Sequence, residues 1–179
     1  MFIGDNDVHA PLLLGGHDNE TEILGAATWL WMHSPLHRNA PLSSLATLLL
    51  PFIKAQQYVL VSQQGQPVFY LSWSRFDEDT ERHYLTTDDQ DNRHLLSSRG
   101  ARLWFLDWIA PFGHSRAMAT LLQHDIFPYH CVRALYHKGS DRGAQVISFR
   151  GAGVSREQAA AWWDAHPLTV DLPERGAAR

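Results

Sequence analysis

Hydrophobic spacing in the first third of the chain predicts two helices. Apolar residues recur every three or four positions over residues 21–33, the period of a helix with one buried face. Pro35 disfavours helical geometry at the residue before it, so this helix ends just ahead of the proline. A second apolar helix is predicted over residues 43–53, with Pro51 kinking or ending it.

From residue 57 onward the pattern favours strands. Residues 57–62 and 67–73 flank a turn that contains Gly65, which predicts an antiparallel hairpin. Residues 102–110 are apolar at nearly every position and predict a central strand covered on both faces. The other predicted elements are a short helix after Asp77, a helix from His114 or Ser115, strands at 132–136 and 144–149, and a last helix opened by a capping box of Ser155 and Gln158.

Length and composition indicate one folded domain. The chain has 179 residues, of which 45% are hydrophobic and 19% charged, as in ordinary globular proteins. Residues 1–20 are rich in Gly, Asp and Asn and predict a flexible N-terminal tail that can tuck once against the body. We expect a single domain over residues 21–171 and a frayed C-terminal tail over residues 172–179.

Charge and cysteine content exclude several classes of protein. A net charge of -4 gives no electrostatic argument for a nucleic acid or an anionic membrane as partner. The one cysteine, Cys131, excludes an intrachain disulfide and a cysteine-based zinc site. The N-terminus lacks the pattern of a secretory signal, and the longest apolar run, residues 45–53, is too short to span a bilayer. We expect a cytoplasmic protein without stable membrane insertion.

Two residues stand out as candidates for chemistry. His37 follows Pro35 on a turn, beside Ser34 and Arg38, where an imidazole can exchange protons near neutral pH. The alternative is a surface-loop histidine. Asp107 lies inside the apolar strand, where an unpaired carboxylate costs several kcal/mol, so it is either a structural acid bonded to a neighbouring loop or a catalytic group.

Three other patterns are interpreted as structural. His33 and His37 are four residues apart, but the proline between them removes the helical register of a metal-binding pair, so no metal site is expected. Cys131 is interpreted as a small buried hydrophobe rather than a nucleophile. Residues 150–153 contain two glycines but no Walker lysine, which favours a strand exit over a phosphate loop.

Several motifs, in chain order, carry a family resemblance. They are Ile23-Leu24-Gly25, Trp29-Leu30-Trp31, Ser34-Pro35-Leu36-His37-Arg38-Asn39, Pro67-Val68 with Tyr70 and Ser72-Trp73, and the stretch from Trp104 to Gly113. In this order they resemble the RTX toxin-activating lysine acyltransferases, and the similarity runs from about residue 23 to about residue 153.

The resemblance implies a cytosolic bacterial enzyme that moves a fatty acyl group from acyl carrier protein to the ε-amino group of internal lysines in an RTX protoxin. It also implies a GNAT-like α+β fold, with a central twisted, mixed but mostly antiparallel sheet flanked by helices. The family's catalytic histidine and aspartate correspond to His37 and Asp107. The supporting or substrate-binding positions that go with them are Ser34, Arg38, Asn39, Tyr70, Trp108 and Gly113.

Elementary chemistry agrees with this assignment. A lysine ammonium must lose a proton before it attacks a thioester, and a neutral imidazole such as that of His37 is suited to take it. Asp107 would orient the imidazole and stabilise its charged form, which gives a reason for a carboxylate in an apolar strand. Backbone N–H groups at residues 108–113 could hold the thioester oxygen. An acyl-histidine intermediate is the alternative to direct transfer.

The acyl donor is also suggested by the sequence. Acetyl-CoA enzymes of this fold bind the pyrophosphate on a glycine-rich turn, and residues 110–113 do not supply one. This favours a carrier protein as donor and no bound cofactor. Because carrier proteins are acidic, the arginines that could dock one are Arg38, Arg99, Arg102 and Arg116, with ordinary surface solvation as the alternative for each.

The chain departs from the family pattern at Ala40, where an aromatic residue is usual, at Leu71, where a cysteine is common, and at residues 98–100, which replace an acidic residue. Two other functions therefore stay open: a non-catalytic binder of a secreted protein or carrier protein, and an N-acyltransferase with another acceptor. The tryptophan pairs 29/31 and 162/163 are interpreted as core or as the surface of a homodimer, with an acyl-chain groove as the alternative.

Overall fold

The computed structural model describes residues 1–87, 92–96, 99–135 and 145–171. Within them the chain forms one seven-stranded sheet whose strand order follows the sequence. The strands are β1 (Phe2–Ile3), β2 (Asn6–His9), β3 (Tyr58–Gln63), β4 (Gln66–Phe76), β5 (Arg102–Ile109), β6 (Cys131–Leu135) and β7 (Val146–Arg150). The helices are α1 (Pro11–Leu14), α2 (Glu20–His33), α3 (Leu50–Lys54), α4 (Glu78–Thr86), α5 (Ser115–Leu121) and α6 (Arg156–Ala165).

The sheet is mixed and mostly antiparallel. Strands β5 and β6 pair in parallel, and the other neighbours in the sheet pair antiparallel. Helices cover both faces, so the predicted α+β architecture is confirmed. In the described part of the chain, no helix is both long and apolar enough to cross a membrane.

Alternation along the strands separates two buried layers. On one face, which we name the α2 face, Tyr58, Leu60, Tyr70 and Ile109 pack under helix α2. On the opposite face, which we name the α5 face, the core includes Val59, Val61, Phe69, Leu71, Trp73, Leu103 and Phe105, and these residues pack with Met118, Leu121 and Leu122. Successive residues of β3 and β4 thus point into different layers, as the period of a strand requires.

The N-terminal segment differs from the expectation of a flexible tail. Strand β2 pairs with β3, and Val8 and Ala10 are both only 2% exposed. Asp18 fixes the segment further, because it contacts His9 Nδ1 at 2.8 Å and accepts a hydrogen bond from the Tyr58 hydroxyl at 2.6 Å. A short strand with only one of its four residues fully buried gives no periodic signal in the sequence. The predicted C-terminal tail, residues 172–179, lies outside the described residues.

The second predicted helix is divided into two parts. A π-helical segment, Leu45–Leu49, leads into α3, and Pro51 lies in the first turn of α3 rather than at its end. Proline is tolerated there because the first-turn N–H groups have no partner inside the helix. The hairpin between β3 and β4 and the capping box at the start of α6 are confirmed.

Candidate active site

His37 lies on a tight turn that follows directly from the end of α2. Pro35 ends the helix, and the backbone N–H groups of His37 and Arg38 then donate to the Ser34 carbonyl at 3.1 and 2.9 Å. The imidazole packs against Trp31, with 4.8 Å between ring centroids. The proline stop predicted from the sequence therefore fixes His37 beside the end of the helix.

Asp107 reaches the same place because strand β5 contains a β-bulge. Ser72 pairs with Asp107 and Trp73 pairs with Phe105, which leaves Leu106 without a partner in the ladder. In a regular strand Asp107 would share the α5 face with Phe105, two positions before it. The extra residue turns Asp107 towards the α2 face instead, where His37 lies.

The two candidate residues meet across a short gap that is open to solvent. His37 Nε2 lies 3.8 Å from Asp107 Oδ1, and each side chain is 20% exposed. His37 Nδ1 lies 2.9 Å from the Ser34 hydroxyl oxygen. Behind Asp107, the Ser72 hydroxyl donates to Oδ2 at 2.7 Å and accepts from the Asp107 backbone N–H at 3.2 Å. Ser34 and Ser72 are buried. His37 and Asp107 are therefore partly open to solvent, whereas the two hydroxyl groups that contact them are not.

Tyr70 lies beneath this group on the α2 face of β4. Its side chain is fully buried, and its hydroxyl has no hydrogen-bond partner among the described residues. Burial raises the pKa of Tyr70 well above its ordinary value, and the negative charge of Asp107 raises it further. Tyr70 therefore stays protonated.

The end of β5 packs against the end of α2. Trp108 donates from Nε1 to the Ser115 hydroxyl at 2.6 Å, which ties the strand to the start of α5. The His33 ring contacts Phe112, with 5.2 Å between centroids. Gly113 adopts a φ of 85°, a conformation that favours glycine, and its N–H donates to the Ala110 carbonyl at 3.4 Å. Trp108 and Gly113 thus shape the strand exit beside the site.

The remaining candidates lie further out or serve the fold. Arg38 and Asn39 are exposed on the turn. Arg102, predicted as a docking arginine, is only 5% exposed and lies 3.0 Å from Glu78 and 3.4 Å from Glu81, so that prediction is wrong. A buried guanidinium paired with carboxylates is part of the core rather than a docking surface.

Two of the three departures from the family pattern, at Ala40 and Leu71, lie wholly in the described part of the chain. Leu71 is fully buried on the α5 face, opposite to Tyr70 and Ser72. Ala40 is exposed and closes the turn by donating its N–H to the His37 carbonyl at 2.8 Å. Residue 98 lies outside the described residues. Neither Ala40 nor Leu71 replaces a side chain of the Ser34–His37–Asp107–Ser72 group.

Sequence reasoning gave Ser72 no role of its own. The available signal was the pair of serines at alternate positions, Ser72 and Ser74, in a strand that is otherwise apolar. Both are fully buried, and Ser74 donates to the Leu95 carbonyl at 2.6 Å. Buried hydroxyls require partners, so each of the two serines had to meet a polar group.

The four tryptophans of the two predicted pairs differ in burial. Trp31 is buried and Trp29 is 44% exposed. Trp162 and Trp163 are half-buried, and the Arg133 guanidinium lies over both rings, 5.6 and 5.1 Å from their centroids. Three of the four tryptophans are thus wholly or partly packed in the fold.

Among the described residues, no group of three or more His, Cys, Asp or Glu side chains is arranged to hold a metal ion.

Comparison with known proteins identifies the family to which this chain belongs. Residues 17–150 match the family model described as "HlyC: RTX toxin acyltransferase family". The chain is 38% identical over 144 residues to the RTX-I toxin-activating lysine-acyltransferase ApxIC of Actinobacillus pleuropneumoniae, covering 79% of this chain and 81% of that one. It is 38% identical over 141 residues to the protein-lysine myristoyltransferase HlyC of Escherichia coli, covering 77% and 80%. The chain therefore belongs to the RTX toxin acyltransferase family.

A solved structure is also similar. The loading GNATL domain of CurA from Lyngbya majuscula aligns with a TM-score of 0.49 and 13% identity, covering 73% of this chain and 64% of that one.

Proposed function

We propose that this protein transfers a fatty acyl group from acyl carrier protein to the ε-amino group of internal lysines in an RTX protoxin, and that it acts in the cytoplasm. The observation that carries the proposal is the open gap between His37 Nε2 and the Asp107 carboxylate. Family membership and the names of the relatives, which are lysine acyltransferases, support the type of reaction and the acceptor.

His37 is the proton acceptor in this proposal. The Ser34 hydroxyl oxygen, 2.9 Å from Nδ1, can accept the imidazole N–H, and we assign the proton to Nδ1 on that ground. Nε2 then carries the lone pair. It takes a proton from the lysine ammonium, the neutral amine attacks the thioester carbonyl, the new C–N bond forms and the C–S bond breaks. The carrier's thiolate leaves and takes this proton from His37. The regenerated imidazole then accepts the second proton of the acylated nitrogen and releases it to solvent, so that both the amide and the imidazole end neutral.

Asp107 acts through its charge. At 3.8 Å from Nε2 its oxygen is beyond hydrogen-bond distance, and contacts of this kind commonly tighten when substrate binds. The carboxylate attracts the lysine ammonium into the gap and stabilises the imidazolium that forms. We therefore assign the positioning of the ring mainly to Ser34, and stabilisation of its charged form to Asp107.

The donor docks beside the same gap. Of the four arginines predicted to meet an acidic carrier, Arg38, Arg99 and Arg116 are exposed. Arg38 is the neighbour of His37 in the turn, so a carrier bound there would present its acyl thioester to the imidazole. Tyr70 and the β5 exit at Trp108 and Gly113 support the site from behind.

Acyl transfer to a lysine tests the proposal. The purified protein is incubated with acyl-loaded carrier protein and an RTX protoxin, and lysine-linked acyl mass is measured in peptides. We expect His37→Ala to lower the rate by about 100-fold or more, since general base catalysis contributes about that much. The matched control is His33→Ala, which removes an exposed histidine at the end of α2 and leaves the rate near that of the wild type. Full activity in His37→Ala would exclude this mechanism.

A further inference from the structure

A second cleft lies beside the Arg75–Leu103 pair, three residues along β4 from the Ser72–Asp107 pair. Its position is given by the β4–β5 ladder, in which Arg75 pairs with Leu103 near one end and Ser72 pairs with Asp107 towards the other. The cleft has a volume of about 350 Å³, which is within the usual range for small-molecule sites. Its walls include the polar side chains of Arg75, His130 and Gln158 and the apolar side chains of Leu103, Val154 and Trp162.

Among the described residues that line this cleft, no carboxylate pairs with the charge of Arg75. Arg75 donates from Nη2 to His130 Nε2 at 3.0 Å, which engages one of its five N–H donors. None of the residues that line the cleft is an aspartate or a glutamate. A half-buried guanidinium without a counter-charge favours an anion, above all one with two oxygens that can take paired hydrogen bonds.

Neither His130 nor Cys131, which both line the wall, offsets that charge. Burial lowers the pKa of His130, and the nearby Arg75 lowers it further, so the ring is neutral at pH 7 and accepts from the arginine. Burial raises the pKa of the Cys131 thiol, so it does not supply a thiolate. Among the described residues of the wall, Arg75 is therefore the one side chain that carries a charge at pH 7.

Other residues of the wall are suited to an apolar group. Leu103 is 1% exposed, Val154 is 9% exposed, and the half-buried Trp162 adds an aromatic surface. Gln158 offers an amide beside them. A cationic head site next to an apolar wall matches a molecule with an anionic end and a short hydrocarbon body.

We propose that this cleft binds a small amphiphilic anion, with a carboxylate or phosphate monoester on Arg75 and an apolar body against Leu103 and Trp162. The site is separate from the gap between His37 and Asp107, and the inference does not depend on the proposed acyl transfer.

The lone cysteine provides a direct test on the full-length protein. Cys131 lines the cleft, is 7% exposed and is the one cysteine in the chain, so its slow alkylation by iodoacetamide at pH 9, where more of the thiol is ionised, can be followed by intact mass. We expect hexanoate or hexyl phosphate to slow the reaction at least threefold with saturation, and hexanol at equal concentration to have little effect. Comparison of the two anions identifies the preferred head group. Equal protection by hexanol, or protection by neither anion, would overturn the proposal.

A matched pair of arginine variants locates the anion. Arg75→Gln should abolish the protection, whereas Arg82→Gln, which removes an exposed arginine of α4 that pairs with Asp79, should keep it. Arg75→Lys retains the charge and should retain part of the protection. Full protection in Arg75→Gln contradicts the site. If that variant does not fold, the comparison of hexanoate with hexanol on the wild-type protein still decides.

Discussion

Ser72 holds Asp107 from two sides. Its hydroxyl accepts from the Asp107 backbone N–H and donates to the carboxylate, so a single side chain fixes both the strand and the rotamer at the bulge. Because the Ser72 hydroxyl that holds the proposed catalytic carboxylate of Asp107 is itself buried, its loss would alter the geometry of the candidate site without opening it to solvent. Ser72 is thus a positioning residue.

We expect Ser72→Ala to lower the rate of acyl transfer by about 10–100-fold, since loss of a supporting hydrogen bond at a site commonly costs that much. The matched control is Ser74→Ala, two residues along the same strand, which loses a buried hydrogen bond to the Leu95 carbonyl and leaves Asp107 untouched. Both variants should lose a similar free energy of unfolding, about 1 kcal/mol. Equal rates in the two variants would show that Ser72 has no special role.

The residues of the candidate site could be selected from the sequence, but the contact between His37 and Asp107 could not be predicted from it. Pro35 marked the turn that carries His37, and an apolar run marked Asp107 as anomalous. The bulge that brings them together depends on how β4 and β5 align, with Leu106 left over. The register of a strand pair depends on how both strands pack together. The local pattern of one strand therefore does not predict the position of the bulge.

At the scale of elements, Gly113 shapes the connection from β5 to α5. Its φ is 85°, and a Cβ built there meets no atom within 4 Å. Gly25 in α2 also has open space for a Cβ but lies inside a helix. The two glycines therefore differ in backbone conformation and not in crowding.

We expect Gly113→Ala to lower the free energy of unfolding by about 1 kcal/mol, because an L side chain is strained at positive φ. Gly25→Ala should raise it by roughly 0.5–1 kcal/mol, since alanine stabilises a helix interior. Urea denaturation of both variants measures the difference. A stabilising effect of Gly113→Ala would contradict the conformation described for this turn.

Elements with a strong period were predicted correctly, whereas those held by tertiary contacts were not. Helix α2 and the β3–β4 hairpin follow their local patterns. Strands β1 and β2 have two and four residues and are stable only because β3 offers an edge and Asp18 holds the following loop. Short edge strands of this kind carry little information in their own composition.

At the scale of the whole molecule, Asp18 makes attachment of the N-terminal segment depend on pH. Burial alone would raise the pKa of Asp18, but hydrogen bonds with His9 and Tyr58 outweigh it and hold the pKa below its ordinary value. The stabilisation is therefore fully present above the unfolded-state pKa of about 3.9 and is lost as the pH falls through the lower folded value.

We expect Asp18→Asn to lower the melting temperature at neutral pH and to reduce its further fall as the pH drops below about 4. Asp5→Asn, which changes an exposed carboxylate outside this cluster, should keep the acid response of the wild type. Melting curves across this range provide the measurement. An unchanged acid response in Asp18→Asn would show that other carboxylates account for it.

The fully buried carboxylate of Glu81 connects α4 to β5, β6 and the segment after α6. It accepts hydrogen bonds from Trp104 Nε1 and Arg133 Nη1, both at 3.0 Å, and from the Thr169 backbone N–H at 3.1 Å. Arg102 Nε lies 3.4 Å away. Four parts of the fold thus meet on one side chain: α4, β5, β6 and the segment after α6. The sequence predicted only a short helix here, because the partners of Glu81 come from distant positions.

We expect Glu81→Gln to lower the free energy of unfolding by about 3–5 kcal/mol, because it leaves the buried Arg102 and Arg133 without their shared counter-charge. Glu78→Gln removes a 67% exposed partner of the same Arg102 and should cost less than about 1 kcal/mol. Urea denaturation separates the two. Since Glu81 holds the segment after α6 against the sheet, limited proteolysis should also cut that segment faster in Glu81→Gln alone. Equal stability of the two variants would mean that packing, and not the charge of Glu81, stabilises the contacts among α4, β5, β6 and the segment after α6.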